Sequence, residues 1–332
     1  VGKPDMSHSN KPSLLALLIG ALFLIAIAVI PLVLFYLGKT FWIDVFSRMI
    51  ILAIAATSLY LLLGVAGLPS FGHAAFIGLG AYAVGIPIHY ATMGGAEWLA
   101  SYNGWWQFGL AILVSAVFAL ITGAISLRTR GVHFIMITMA FSQMIYYALI
   151  SLEEYGADDG LSIYAPSEFP LISFDNPIHL FGVCYATLLL VMFVVHRLQH
   201  SRFGRVLQAA KQNETRVLTS GVNPFKYRLL AYVIAGVMAG IAGALMANRM
   251  MFISPSMVEW SHSGELMFMI ILGGSQSLLG PLVGSSLFIF LEFVLSRWTV
   301  YWHLPFGLIL LFVVLFGRGG IIGMLRNKGD AS

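Results

Sequence analysis

Few residues in this chain have types and spacing that could do chemistry, and their surroundings argue against each pattern. Gly38-Lys39-Thr40 reads like the end of a phosphate-binding loop, but the glycine required five positions before Gly38 is replaced by Val33. A long apolar run, not a strand, precedes it, so ATP binding by this chain is excluded. Gly78-Leu-Gly80-Ala-Tyr-Ala83 fits a loose dinucleotide fingerprint inside an apolar run, where helix packing explains the glycines better. Asn213-Glu214-Thr215 is a glycosylation sequon, placed by the topology below on the inside, where no glycan is expected. Asn176-Pro177 and Asn223-Pro224 lack the alanine of water-channel half-helices. No His, Cys or Glu group has metal-ligand spacing, so no cofactor is expected in the chain itself.

The elements that carry these residues are membrane spans. The 332 residues are 59% hydrophobic and 10% charged, with a mean hydropathy of +0.89. A soluble chain has roughly 25% charged residues. That excludes an ordinary cytosolic enzyme, a disordered chain and, with Cys184 the single cysteine, a disulfide scaffold. The net charge of +4 sits in short connecting segments, which points to membrane topology and not to nucleic acid. Met6 reads as the native start, with Val1–Asp5 a processing remnant.

The expected fold is all-α: a polytopic membrane protein of about ten helices, over 13–38, 45–63, 71–92, 105–127, 131–152, 177–195, 229–248, 264–279, 281–296 and 304–317. The expected domains are a tail 1–12, one permease domain 13–318 and a tail 319–332. Segment 153–177 carries six acids and no Lys or Arg; segment 197–228 carries seven basic residues against Glu214 alone. Basic loops stay cytoplasmic, so 197–228 and both termini are expected inside and 153–177 outside. Lys39 and Arg48, which fall outside, do not fit the rule. Gly236, Gly240 and Gly243 form a small-residue face for helix packing.

Two apolar stretches are broken by Gly, Pro and Ser: 64–73 (GVAGLPSFGH) and 273–281 (GGSQSLLGP). Broken helices in a membrane leave backbone groups unpaired, which is tolerated inside protein or beside a water-filled cavity. They read either as the translocation path, lined by Ser70, Phe71, His73, Phe76, Gly274, Ser275 and Gln276, or as tight turns, with His73 capping a helix start. The inside loop 201–228 contains a helix over Arg205–Ser220, with Arg205, Ala209, Gln212 and Arg216 on one face and Val206, Ala210, Val217 and Gly221 on another. Gly221 suits the position after the helix end. Such a helix lies on anionic lipid or docks in a partner's groove.

At these residues the chain resembles a known family. Gly67-Leu-Pro-Ser-Phe-Gly-His73 through Tyr82, Ser201-Arg-Phe-Gly-Arg205 through Ala210, Glu214 with Gly221-Val-Asn-Pro224, Ala235 through Ala244, and Gly273 through Pro281 are similar to the LivM-type permease subunits of ABC importers for branched-chain amino acids. The order and spacing run across most of the chain. The usual Glu-Ala-Ala-x-x-x-Gly form is altered, since Ala209-Ala210 precede Glu214.

The resemblance implies half of a translocation path, a second homologous LivH-type permease, two ATPase subunits that hold the ATP and Mg, and a periplasmic binding protein, all at a bacterial inner membrane. It makes Arg205, Ala209, Ala210, Glu214, Arg216, Val217 and Gly221 the coupling surface, with Glu214 and Arg216 as polar anchors. Leu, Ile and Val are the implied solutes, with urea or short amides as the alternative. The rival class is a self-sufficient channel or ion-coupled carrier. Carriers keep ionisable residues deep in the membrane; here Glu292 is the clearest, near the outer end of its span.

Overall fold

A computed structural model describes residues 14–316, Leu171 apart, together with Gly320. The tails 1–12 and 319–332 expected from the sequence lie outside the described residues, Gly320 excepted. Helices fall on all ten apolar runs: α1 Leu14–Tyr36, α2 Thr40–Tyr60, α3 His73–Met93, α4 Gly104–Ser126, α5 Val132–Ile150, α6 Pro177–His200, α9 Pro224–Met250, α10 Trp260–Gly273, α11 Gly280–Leu295 and α12 His303–Phe316. Among the described residues, six helices are long and apolar enough to cross a membrane. Two polar helices, α7 Arg202–Gln212 and α8 Glu214–Thr219, fill the basic loop, and a short ribbon pairs β1 Leu161–Ser162 with β2 Phe252–Ile253.

The single helix expected over Arg205–Ser220 is two. Asn213 ends α7 in an extended conformation, and its side chain then accepts from Arg216 N at 3.0 Å to start α8. A short polar side chain that caps a helix start competes with helix continuation. Asn176-Pro177 and Asn223-Pro224 start α6 and α9 by the same chemistry, each asparagine accepting from the second residue after it while proline takes the first turn. The second of these begins α9 at Pro224, five residues before the run expected from hydropathy.

The bundle is centred on α2, which packs against α1, α6, α9, α10 and α11. The glycine face of α9 does what small residues do in lipid, letting backbones touch. A methyl group on Gly80 of α3 would overlap the Gly240 carbonyl, one on Gly243 would overlap that of Ile77, and one on Gly240 would strike Ser115 of α4. The fingerprint glycine Gly80 is therefore a packing residue.

Candidate functional site

The first break is more than a turn. α2 runs on through a π-helical turn, Leu61–Ala66, and Gly67 ends it at φ +71°. Residues 68–72 then lead back into the bundle, and α3 starts there. His73 Nε2 meets Ser58 Oγ of α2 at 2.7 Å, about 12 Å along α2 from Ala66. Ser58 donates its own proton to the Ala55 carbonyl, so the imidazole Nε2–H is the donor. Hydroxyls from two other helices serve the broken backbone: Phe71 N donates to Thr138 Oγ1 at 3.2 Å and Ala74 N to Ser263 Oγ at 2.8 Å. This is the internal satisfaction that irregular backbone needs at membrane depth. His73 thus ties α3 to α2, and the cap comes from α5 and α10.

The segment before α10 behaves alike. After β2, the 3₁₀ turn Pro255–Val258 brings Val258 against Gly78 of α3, and its carbonyl accepts from Ser142 of α5 at 2.6 Å. α10 therefore begins beside the start of α3, inside the bundle. Its 14 residues reach only about 21 Å, less than a hydrocarbon core of about 30 Å. At its far end the second break meets the first. A Cβ on Gly64 would stand 3.1 Å from the Ser275 carbonyl oxygen.

The basic loop closes over the same place. Lys211 Nζ of α7 donates to the Gly64 carbonyl at 2.7 Å. Glu214, at the start of α8, holds Arg228 of α9 at 2.9 Å and Arg130 of the α4–α5 turn at 3.1 Å. Gly221 takes φ +82° after α8, with its N–H on the Leu218 carbonyl and that of Val222 on Val217, a Schellman ending.

Residues 41–317 match the family model described as the permease component of the branched-chain amino acid transport system. The chain belongs to this permease family. It is similar to the high-affinity branched-chain amino acid permease proteins LivM of Salmonella typhimurium, 27% identical, and of Escherichia coli, 25% identical, each over 92% of this chain and 76% of the relative. A LivH protein of Methanocaldococcus jannaschii is 27% identical over 47% of this chain and 50% of its own length. No solved structure gives a significant match.

Within this permease, the expected site residues fall into two groups. Ser70, His73 and Phe76 are wholly buried, and Phe76 packs edge-on against His73, Phe118 and Tyr232. Gly274 is buried at φ +119°, Ser275 and Phe71 are half-buried, and Gln276 is exposed. In the loop, Arg205, Ala209, Arg216 and Gly221 are exposed, while Ala210 and Val217 pack into this chain's own core. Glu214 is held within the chain by its two arginines.

Sequence reasoning foresaw none of the ion pairs of the permease, neither those of Glu214 nor that of Arg249 with Asp44, and two more join groups within α2, α10 and α11. Arg48 of α2 meets Glu292 of α11 at 2.9 Å, and His262 meets Glu265 on α10 at 3.1 Å. The first pairing explains the misfit of Arg48 with the charge rule. The second escaped because residues 249–263 fell between two expected spans; the unusually short apolar run that follows was the signal available.

Proposed function

We propose that this chain is one of two permease subunits of an ATP-driven importer for branched-chain amino acids or related small polar solutes. Matches to both LivM and LivH relatives support a permease pair. Two ATPase subunits, holding the ATP and Mg, and a periplasmic binding protein complete the assembly in a bacterial inner membrane. The basic loop and both termini face the cytoplasm. The chain provides half of the path and the mechanical coupling, and catalyses nothing itself.

The observation that carries this reading, beyond the family, is the contact of Lys211 with Gly64. It joins a loop able to meet an ATPase to the end of α2 where both breaks converge. Arg205, Ala209 and Arg216 offer the exposed coupling face; Ala210, Glu214, Val217 and Gly221 hold the loop in shape. The path passes Phe71, Ser275 and Gln276, and Ser70, His73, Phe76 and Gly274 support it from behind.

Purification of the tagged chain from cells expressing its whole transport system, followed by leucine uptake in proteoliposomes, tests this. Co-purifying ATPases and ATP-dependent uptake are expected. A chain that purifies alone and passes solute without ATP is a channel instead.

A further inference from the structure

We propose that the solute crosses along the face formed by Arg48 of α2, His262 and Glu265 of α10 and Glu292 of α11, and that this face recognises zwitterions. The proposal rests on the importer reading above and adds the residues that meet the solute.

Depth comes first. The contact of Gly64 with Ser275 sets a common level at the loop end of the bundle. Counting at about 1.5 Å per residue along each helix from its end near that level, Gly64 for α2, Gly273 for α10 and Gly280 for α11, Glu265 stands roughly 12 Å into the bundle, His262 roughly 16 Å, Glu292 roughly 18 Å and Arg48 roughly 24 Å. All four lie within a hydrocarbon core of about 30 Å.

Exposure comes second. The Arg48 and Glu292 side chains are 38% and 20% exposed, and those of His262 and Glu265 are 44% and 30%. Elsewhere at this depth the chain shows lipid-type surface, as on α4 with Leu113, Val117, Leu120 and Ile121. Ionisable groups at membrane depth face protein or water, because exposure to lipid tails is costly. The helices α2, α10 and α11 pack on one another, and the two ion pairs they carry are neighbours. His262 is close enough to Arg48 and Glu259 to interact with both electrostatically. The pairs are a guanidinium with a carboxylate, and an imidazole with a carboxylate. The buried Glu292 Oε2 atom has no hydrogen-bond partner among the described residues.

The arrangement fits a solute carrying both signs. A passing ammonium replaces the guanidinium or imidazole at a carboxylate, and a passing carboxylate replaces the carboxylate at Arg48. Each exchange keeps every charge paired, which a neutral amide does not require.

The test uses the assembled complex in proteoliposomes with ATP, its binding protein and labelled leucine. Wild-type uptake comes first; its absence overturns the importer reading and not this face. With uptake present, Glu265→Gln is expected to lower it about tenfold, the loss of one charge-assisted contact, with ATPase stimulation within about twofold of wild type. His262→Cys is expected to react with a membrane-impermeant cationic thiosulfonate, more slowly during leucine turnover. Within this chain the background is clean, since Cys184 is buried and is its single cysteine, and labelling is read on this chain's band after the subunits are separated. Should Glu265→Gln fail to assemble, leucine protection at His262→Cys decides alone. Wild-type uptake by Glu265→Gln, or a cysteine at 262 that reacts only with lipid-soluble reagents, overturns the proposal.

Discussion

The ammonium of Lys211 donates a 2.7 Å hydrogen bond to the carbonyl of Gly64, 147 residues away in sequence. Gly64 lies in the π-helical end of α2, where backbone carbonyls lack ordinary helical partners. The lysine stem also covers Gly67, where a Cβ would stand 2.7 Å from Lys211 Cγ. One side chain therefore fixes the register between the α7–α8 loop and the first break. Movement of the loop displaces the end of α2, and α2 is the centre of the bundle.

Lys211→Met should keep the spans folded and loosen this link. Solute moved per ATP should fall at least about 5-fold, the low end of ordinary site-to-site coupling. Parallel measurement of uptake and ATP hydrolysis in proteoliposomes checks this, and an unchanged ratio removes Lys211 from the coupling route.

The two arginines on Glu214 should differ. The Arg130 side chain is 70% exposed and that of Arg228 is 13%. Arg130→Met removes an exposed pair worth about 0–1 kcal/mol. Arg228→Met breaks a largely buried one and also loses the contact with the Ala210 carbonyl, at a cost of about 3 kcal/mol. Thermal unfolding of the purified complex should show a clear drop for Arg228→Met alone; equal drops would contradict the burial argument.

Glycines at helix contacts should be intolerant and others should not. Gly240→Ala places a methyl group into Ser115, an overpacking cost of about 1–3 kcal/mol. Gly182 of α6 has open space around it, so Gly182→Ala should be neutral or stabilising by up to about 1 kcal/mol. Membrane abundance and melting temperature of the two variants give the comparison.

Topology follows from the opposed loop charges. A membrane-impermeant maleimide applied to the periplasmic side of intact cells should label Asp159→Cys and leave Arg216→Cys unmodified until the membrane is opened. Labelling of Arg216→Cys from outside would invert the orientation.

Gly274 also refines how a block in transport is read. At φ +119° and pressed against Gly280, it cannot take a leucine without backbone strain, whatever passes nearby. Loss of uptake in Gly274→Leu would report the fold. Gln276→Trp, at an exposed position, should obstruct a path at this end without that strain, lowering uptake while assembly on a sizing column is unchanged.

The features legible in the sequence depend on near neighbours along the chain. Ten apolar runs became helices because transfer into lipid is summed over about 20 consecutive residues. Gly221 could be assigned to a helix end because its left-handed conformation suits a residue without a side chain. The glycine face of α9 followed from helical spacing. The sequence also located both breaks, since Gly, Pro and Ser interrupt the runs.

Where those breaks lead was decided by tertiary structure. Nothing near residues 67–74 in sequence announces that Thr138 and Ser263 serve their backbone, and without those partners a re-entry into the bundle would be too costly. Hydropathy likewise places residues 251–263 outside, whereas packing of Val258 against Gly78 draws them in and starts α10 at membrane depth. Arg48 looked misplaced until Glu292, 244 residues away, stood 2.9 Å from it. A charge at membrane depth is acceptable or ruinous according to its partner in space, and no one-dimensional pattern records that partner.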